Sequence, residues 1–95
     1  MIENDIISDV ADMYGITTSD ILSKRRVRRY VDARKVISHV LYHGLGMTLS
    51  EIGRILHCTH ATIIYFNRKA DDWLNFPVTN NKGASIIREL EERYG

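Results

Sequence analysis

Seven basic side chains lie within fifteen residues, "ILSKRRVRRYVDARK", at positions 21–35. They are Lys24, Arg25, Arg26, Arg28, Arg29, Arg34 and Lys35, with Asp32 as the one acidic residue among them. The chain as a whole has a formal net charge of only +1, so this stretch concentrates positive charge. A cluster of one sign creates a local field suited to a polyanion. A solvated basic loop without a partner is the alternative, which the mutual repulsion of the charges disfavours.

A second set of polar side chains follows in "THATIIYFNRK", residues 59–69. At helical spacing, one face of this segment carries Thr59, His60, Thr62, Tyr65 and Lys69, and the other carries Ile63, Phe66 and Ala70. Hydroxyl, imidazole and amine groups of this kind read base edges in the DNA major groove. An ordinary helical hairpin with a polar outer face is the alternative. The neighbouring basic cluster favours DNA.

The elements that must position these groups resemble a helix-turn-helix. Thr48 and Glu51 have the spacing of a capping box, which opens a helix ending near Leu56. Thr59 can cap the next helix after a very short turn. Gly53 costs roughly 1 kcal/mol inside the first helix relative to Ala. That cost is expected where a second helix crosses closely.

Apolar residues recur at spacings of three and four along most of the chain, and no segment alternates with period two. The pattern predicts an all-α fold, a compact bundle of about six helices in a single domain over residues 1–95. Outside the helix-turn-helix, we expect one helix ending before Gly15, one opening at Thr18 or Ser19, one from about Val31 to His43, and one after a break at Pro77 and Gly83. We place the basic loop at about 23–30, the helix-turn-helix at about 48–73, and the connector and terminal helix at about 76–95.

Composition excludes several classes of protein. Cys58 is the only cysteine, which rules out a disulfide framework and favours a reducing compartment. The acidic amino terminus is unlike a signal peptide, and no apolar run is long enough to span a membrane, so we expect a cytoplasmic protein. The Gly44-Leu45-Gly46 sequence is a helix stop and not a phosphate-binding loop, so we expect no bound nucleotide or other cofactor. No triad or carboxylate pair indicates an enzyme.

Two groups of side chains make a metal site conceivable. His39 and His43 are four residues apart on one predicted helix, and His57, Cys58 and His60 cluster in the turn. Paired Cys-x-x-Cys spacing is absent, and Cys58 fits better as a small apolar plug. We therefore predict no metal site and a melting temperature unchanged by zinc or chelator.

Three quoted segments carry a resemblance to a known family. "ILSKRRVRR" resembles the basic loop of the carboxy-terminal DNA-binding domain of the bacterial replication initiator DnaA, and "LSEIGRIL" resembles the first helix of its helix-turn-helix. "HATII" resembles the signature Arg-Asp-His-Thr-Thr-Val at the start of its recognition helix. The resemblance covers roughly residues 5–72 and implies a helical fold related to Trp-repressor-like folds.

The resemblance also implies roles for individual residues. In the family, an Arg of the basic loop enters the minor groove while the recognition helix reads the adjacent major groove; Arg26 resembles that arginine. The same matching places four basic residues near the phosphates: Lys24, Arg25, Arg28 and Arg34. It aligns His60 and Thr62 with the family's His and second Thr. It also aligns Arg68-Lys69 with a basic pair further along the family's helix. The expected DNA interface is Lys24, Arg25, Arg26, Arg28, Arg29, Arg34, Thr59, His60, Ala61, Thr62, Tyr65, Arg68 and Lys69.

The chain also departs from the signature. Cys58 and Thr59 stand where the family has Arg and Asp, Ala61 replaces a Thr, and the turn is one residue shorter. We therefore expect a preferred site different from the initiator's own box.

The function we expect is sequence-preferring binding of double-stranded DNA in replication initiation, its regulation, or a related mobile-element or transcription role. Self-association on neighbouring DNA sites would accompany it. The alternatives are a generic transcription regulator or a protein-interaction module, in which the acidic first helix docks on the basic loop of a neighbouring copy; RNA binding is a lesser third.

Overall fold

Helices account for nearly the whole chain, and the computed structural model describes every residue from 1 to 95. The six α-helices are α1 (Ile2–Tyr14), α2 (Thr18–Leu22), α3 (Arg28–His39), α4 (Leu49–Leu56), α5 (His60–Asn75) and α6 (Asn81–Tyr94). A π-helical turn (Val40–Gly44) continues α3, and a 3-10 turn (Pro77–Thr79) joins α5 to α6. The structure contains no strand, so the all-α prediction is confirmed. No helix has the length and apolarity that a membrane crossing requires.

Side-chain caps set the start of the helices that matter most for the site. Thr48 and Glu51 form the predicted capping box: Glu51 N donates to Thr48 Oγ1 at 3.1 Å, and Thr48 N donates to Glu51 Oε1 at 2.9 Å. The N-cap of α2 is Thr17 and not Thr18 or Ser19, because Thr17 exchanges the same pair of hydrogen bonds with Asp20. The first helix ends as predicted, with Gly15 in the left-handed conformation.

The third helix differs from its prediction at both ends. It begins at Arg28, three residues before Val31, after Val27 serves as an extended N-cap without a side-chain hydrogen bond. Because no capping side chain marks this start, the sequence does not reveal it. Beyond His39 the backbone widens into the π turn. The non-helical part of the basic loop is therefore only residues 23–27.

Gly83 was expected to break the chain, but it lies in the first turn of α6. A Cβ at this position would stand 2.7 Å from Cε3 of Trp73, so glycine allows the indole to pack on the helix backbone. Asn80 caps α6 by accepting a hydrogen bond of 2.9 Å from Gly83 N. The actual break in the helical pattern is the 3-10 turn that begins at Pro77.

The central helix α3 packs against α1, α2, α5 and α6. Its buried side chains Val36 and Ile37 belong to the same apolar cluster as Ile63 of α5 and Ile87 of α6. Ser38 adds a buried polar contact to α5, where its Oγ donates to Oδ1 of Asn67 at 2.5 Å. A buried hydrogen bond of this kind allows few alternative packings, because each group left unpaired would be costly. This hydrogen bond therefore adds to the apolar packing that holds α5 against α3.

Candidate nucleic-acid interface

A tight turn sets α4 and α5 at their mutual angle. His57 adopts the left-handed conformation, with φ of 58° and ψ of 42°. Cys58 N then donates to Gly53 O at 2.8 Å. A Cβ on Gly53 would lie 2.6 Å from the carbonyl oxygen of Cys58 and 3.8 Å from Cγ1 of Ile63. Gly53 is therefore crowded, but by the turn and not by the second helix as expected, since Ile63 of α5 is only in ordinary van der Waals contact.

The amino-terminal half of α5 presents a polar face to solvent. Exposed or half-buried on this face are Thr59, His60, Ala61, Thr62, Tyr65, Arg68 and Lys69. Ile63, Phe66 and Ala70 are buried, as the periodicity predicts. Thr59 caps the helix by accepting from Thr62 N at 3.3 Å, and the two hydroxyl oxygens lie 3.0 Å apart. His60 follows directly with no hydrogen bond to a neighbour, so its ring can bind a ligand.

The basic loop presents charge with few partners inside the chain. Lys24 and Arg26 are exposed, and Arg25 places its guanidinium carbon 5.7 Å from the ring centre of Tyr30. Arg28 and Arg29 extend from the first turn of α3, where Arg28 Nε lies 3.8 Å from the carboxylate of Asp32. An exposed pair at that distance contributes little to stability.

Arg34 differs from the other basic residues, because it is only 5% exposed. Its Nε donates to Ile21 O at 2.7 Å, and its Nη2 donates to Ser23 O at 2.6 Å and to Asp20 O at 3.2 Å. Burial lowers the pKa of the guanidinium, although an arginine stays protonated in proteins. The expectation that Arg34 lies at the phosphates is therefore revised. Its hydrogen bonds satisfy the last carbonyl groups of α2 and hold the start of the basic loop.

One cleft of about 770 Å³ joins the basic loop to α5. Its lining includes Lys24, Arg26, Lys35, Thr59, Thr62 and Tyr65. The structure thus brings residues more than thirty positions apart in the chain to one concave surface that is open to solvent.

Lys35 was omitted from the expected interface, although it belongs to the basic cluster. Its Nζ lies 5.5 Å from the ring centres of both Tyr65 and Trp73, and Lys69 Nζ lies 5.8 Å from that of Tyr65. Tyr65 is 48% exposed, so these ammonium groups surround an aromatic ring that remains accessible. The sequence contains the charge of Lys35 but not the packing of α3 on α5, which decides where that charge lies.

Arg54 is a second basic residue that was missing from the expected interface. A shallow depression of about 510 Å³ beside the turn is lined by Ser50, Arg54, His57 and His60, among others. Arg54 is exposed on α4 and lines this depression together with His60, so it adds positive charge beside the start of α5. In the sequence, Arg54 lies on the polar face of the first helix of the predicted helix-turn-helix, and this position could have identified it as part of the interface.

The turn lacks the features of a reactive or metal-binding centre. Burial raises the pKa of the Cys58 thiol, against the opposing effect of Arg34, and its Sγ donates to Leu56 O at 3.4 Å. A protonated, half-buried thiol is inert. The only three candidate ligand groups that converge are those of His39, His43 and Asp71, none of which belongs to the turn.

Several curated proteins are similar to this chain in sequence. A DnaA 2 chromosomal replication initiator of Protochlamydia amoebophila (strain UWE25) is 36% identical over 59 residues, covering 62% of this chain and 13% of that protein. The chromosomal replication initiator DnaA of Corynebacterium jeikeium (strain K411) is 24% identical over 93% of this chain and 15% of its own length. That of Pseudothermotoga lettingae is 21% identical over 96% of this chain and 19% of its own length.

The chain spans less than a fifth of the length of these curated relatives. The family described as "Bacterial dnaA protein helix-turn-helix" matches residues 4–70, which include the basic loop, α4 and most of α5. The match covers well over half of the sequence, and the chain therefore belongs to the DnaA helix-turn-helix family.

Proposed function

We propose that the chain is a sequence-preferring module for double-stranded DNA, in which the start of α5 enters the major groove and Arg26 enters the adjacent minor groove. The observation that carries this proposal is the cleft shared by the basic loop and α5. A helix-turn-helix places the first residues of its second helix against base edges, and basic side chains beside it contact the phosphates. Both kinds of group are exposed here on one surface.

Individual side chains suit distinct parts of a duplex. His60 carries ring nitrogens that can donate to or accept from a base edge, and the methyl of Ala61 can contact the thymine methyl. Lys24 and Arg29 are free to pair with phosphates, as is Arg68 further along α5, and Arg28 is held only by its long, exposed contact with Asp32. Tyr65, flanked by Lys35 and Lys69, lies one turn after Thr62 and can contact the sugar-phosphate backbone at the edge of the groove.

Membership of a family of DNA-binding helix-turn-helix domains supports a role in replication. The curated relatives are named chromosomal replication initiators, so we place this module in replication initiation or its regulation, with a transcription or mobile-element role as a variant. The contacts within this chain do not support nucleotide-driven steps or self-association on adjacent sites, so neither is part of the proposal. No catalytic role is included.

The second candidate is a protein-interaction module joining the acidic first helix of one copy to the basic loop of another. Asp9 of that helix is already occupied inside the chain: Tyr94 OH donates to its Oδ2 at 2.5 Å, and Arg93 Nη1 lies 2.9 Å away. The hydrogen bond from Tyr94 and the charge of Arg93 hold the pKa of Asp9 below its ordinary value. With part of its acidic face satisfied internally, α1 is the weaker partner for the loop, and DNA is favoured.

Selection of bound duplexes from a random library tests the proposal and also identifies the site. The selected duplex is then titrated at several salt concentrations against a scrambled duplex. Phosphate neutralisation predicts that log affinity falls linearly with log salt, with a slope near −0.9 per phosphate contact. Failure to enrich any sequence, together with a salt-independent affinity, would overturn the proposal; assembly of the protein without DNA would favour the second candidate.

A further inference from the structure

Three side chains that suit a metal ion converge where α3 passes into the π turn. His39 is the last residue of α3, His43 belongs to the π turn, and Asp71 comes from α5. One ligand atom from each lies within 4.8 Å of the other two. His39 Nε2 and Asp71 Oδ1 are 3.0 Å apart, and the ring centres of His39 and His43 are separated by 4.4 Å.

The backbone explains why the two histidines lie together. Residues four apart on a helix lie above one another on the same face, and two histidines at this spacing bind zinc in helical metalloprotease motifs. Here the second histidine lies in a π turn, a rare conformation that occurs frequently at functional sites. Ser38, the neighbour of His39, is hydrogen-bonded to Asn67 of α5, four residues before Asp71. That contact fixes the register between the histidine pair and the carboxylate.

The second nitrogen of His39 provides an independent observation. His39 is 4% exposed, and its Nδ1 is buried without a hydrogen-bond partner. Glu91 of α6 places Oε1 at 3.8 Å from this nitrogen, slightly beyond hydrogen-bonding distance. A histidine that binds a metal through one nitrogen almost always donates its other ring N–H to a carboxylate or carbonyl. In His39, Nε2 faces the cluster and the carboxylate of Glu91 lies on the Nδ1 side, where it can accept the Nδ1 proton once a metal ion occupies Nε2.

His43 and Asp71 are exposed, so both can adjust their side-chain angles when an ion enters.

We propose that His39, His43 and Asp71 form a binding site for a divalent transition-metal ion, best suited to zinc. Two imidazoles and one carboxylate are a known zinc ligand set, with water in the fourth tetrahedral position. Bonds of about 2 Å in a tetrahedron put neighbouring ligand atoms roughly 3.3 Å apart, close to the separation between His39 and Asp71. The bound ion joins α5 to the end of α3 and restrains the helix that carries His60.

This site departs from the absence of metal expected from the sequence. The pair His39–His43 was visible there, but Asp71 is 32 positions from His39, and only the packing of α5 on α3 brings it near. Two histidines alone make a weak site. Asp71 supplies a third ligand, and the carboxylate of Glu91 lies behind Nδ1 of His39, so the structure offers more than the two histidines.

The test uses the full 95-residue chain without a histidine tag, stripped of metal and titrated with Zn²⁺ by calorimetry. One equivalent is expected to bind, and Co²⁺ in its place should give the intense visible absorption of a tetrahedral site. Free zinc a hundredfold above its Kd should raise the melting temperature by about 10–20 °C for a domain of this size. His43→Gln and Asp71→Asn, both at exposed positions, should each abolish these signals without unfolding the apoprotein.

Two variants serve as matched controls. Asp72→Asn removes the carboxylate next to Asp71, and His57→Asn removes a histidine outside the cluster while tolerating the left-handed backbone. Both should bind zinc like the unmodified chain. Absence of zinc binding by the unmodified chain, or equal losses in the controls and the site variants, would overturn the proposal. These measurements involve no DNA, so they succeed or fail independently of the proposed function.

Discussion

Arg34 Nη2 donates a hydrogen bond of 2.6 Å to the carbonyl oxygen of Ser23, eleven residues earlier in the chain. With its companion bond from Nε to Ile21 O, this contact ends α2 and fixes where the basic loop begins. The last carbonyl groups of a helix have no partner within the helix, and a cation there is favourable. Because Arg34 belongs to α3, which packs on α5, these hydrogen bonds tie the start of the basic loop to the same part of the bundle as α5.

Replacing Arg34 by Met should lower the free energy of unfolding by about 2–3 kcal/mol, because buried carbonyl oxygens lose charged donors. Binding to every duplex should weaken as the loop loses its anchor, but the salt slope should stay the same, since no phosphate contact is removed. Urea unfolding and salt-dependent DNA titration measure the two effects. Arg29→Met, at an exposed position, is the control for loss of charge. If the Arg34→Met variant kept its stability and its salt slope fell by one, Arg34 would instead contact a phosphate.

Lys24→Ala tests the exposed part of the basic loop. The side chain makes no contact within the chain that would affect folding, so stability should not change. Affinity for all duplexes should fall about equally, and the salt slope should decrease by about one. Arg26→Ala should show the same loss and also lose preference for narrow A·T-rich minor grooves, where the negative potential is enhanced. Identical behaviour of the two variants on A·T-rich and G·C-rich sites would remove the special role of Arg26.

Local rules were sufficient to predict much of the site. The capping box at Thr48, the cap at Thr59 and the polar face of α5 each depend on residues three or four apart, so spacing alone reveals them. Gly53 was informative because glycine inside a helix lowers stability, and that cost is expected where a close neighbour leaves no room for a Cβ. The end of α1 at Gly15 follows from another property of glycine, which adopts the left-handed conformation at a helix end without strain.

What the sequence could not reveal depends on contacts between distant segments. Nothing in "KRRVRRYVDARK" distinguishes the buried Arg34 from its exposed neighbours, because the carbonyls that bind it belong to α2 and to Ser23, the residue that follows it. Lys35 lies beside Tyr65 only because α3 packs on α5. The π turn has no side-chain signature, so the third helix was expected to continue as a regular α-helix to His43.

Gly53→Ala should destabilise the helix-turn-helix. The new Cβ would lie 2.6 Å from the carbonyl oxygen of Cys58, so the turn must move. Overpacking costs about 1–3 kcal/mol, and the better helix propensity of alanine offsets roughly 1 kcal/mol. Because the carbonyl is part of the backbone and cannot simply rotate away, we expect a net loss of up to about 2 kcal/mol by thermal or urea unfolding. Gly44→Ala is the control, because its Cβ would meet only Val40 Cγ1 at 3.7 Å; comparable losses in both variants would contradict the crowding at Gly53.

His60→Ala tests base recognition separately from general affinity. His60 is exposed at the first residue of α5 and has no partner within the chain, so its removal should leave stability unchanged. Affinity for the selected site should fall by about 1–3 kcal/mol, and affinity for a scrambled duplex should fall much less. Equal losses on both duplexes would place His60 at the phosphates and not at a base edge.

The final prediction concerns the two positions where this chain departs from the DnaA signature. Aspartate caps a helix as well as threonine does, so Thr59→Asp should preserve α5 while adding a group that accepts from cytosine N4. Cys58→Arg is less tolerated, because the half-buried Cys58 lies close enough to Arg34 for that charge to affect its pKa. A second guanidinium there would meet the first. We therefore expect Thr59→Asp alone to move preference toward the initiator's box at unchanged stability, and the double variant to move it further while losing stability. All three proteins are measured on the selected site and on the initiator's box at one salt concentration. If the unmodified chain already prefers the initiator's box, Thr59 and Cys58 do not determine its specificity.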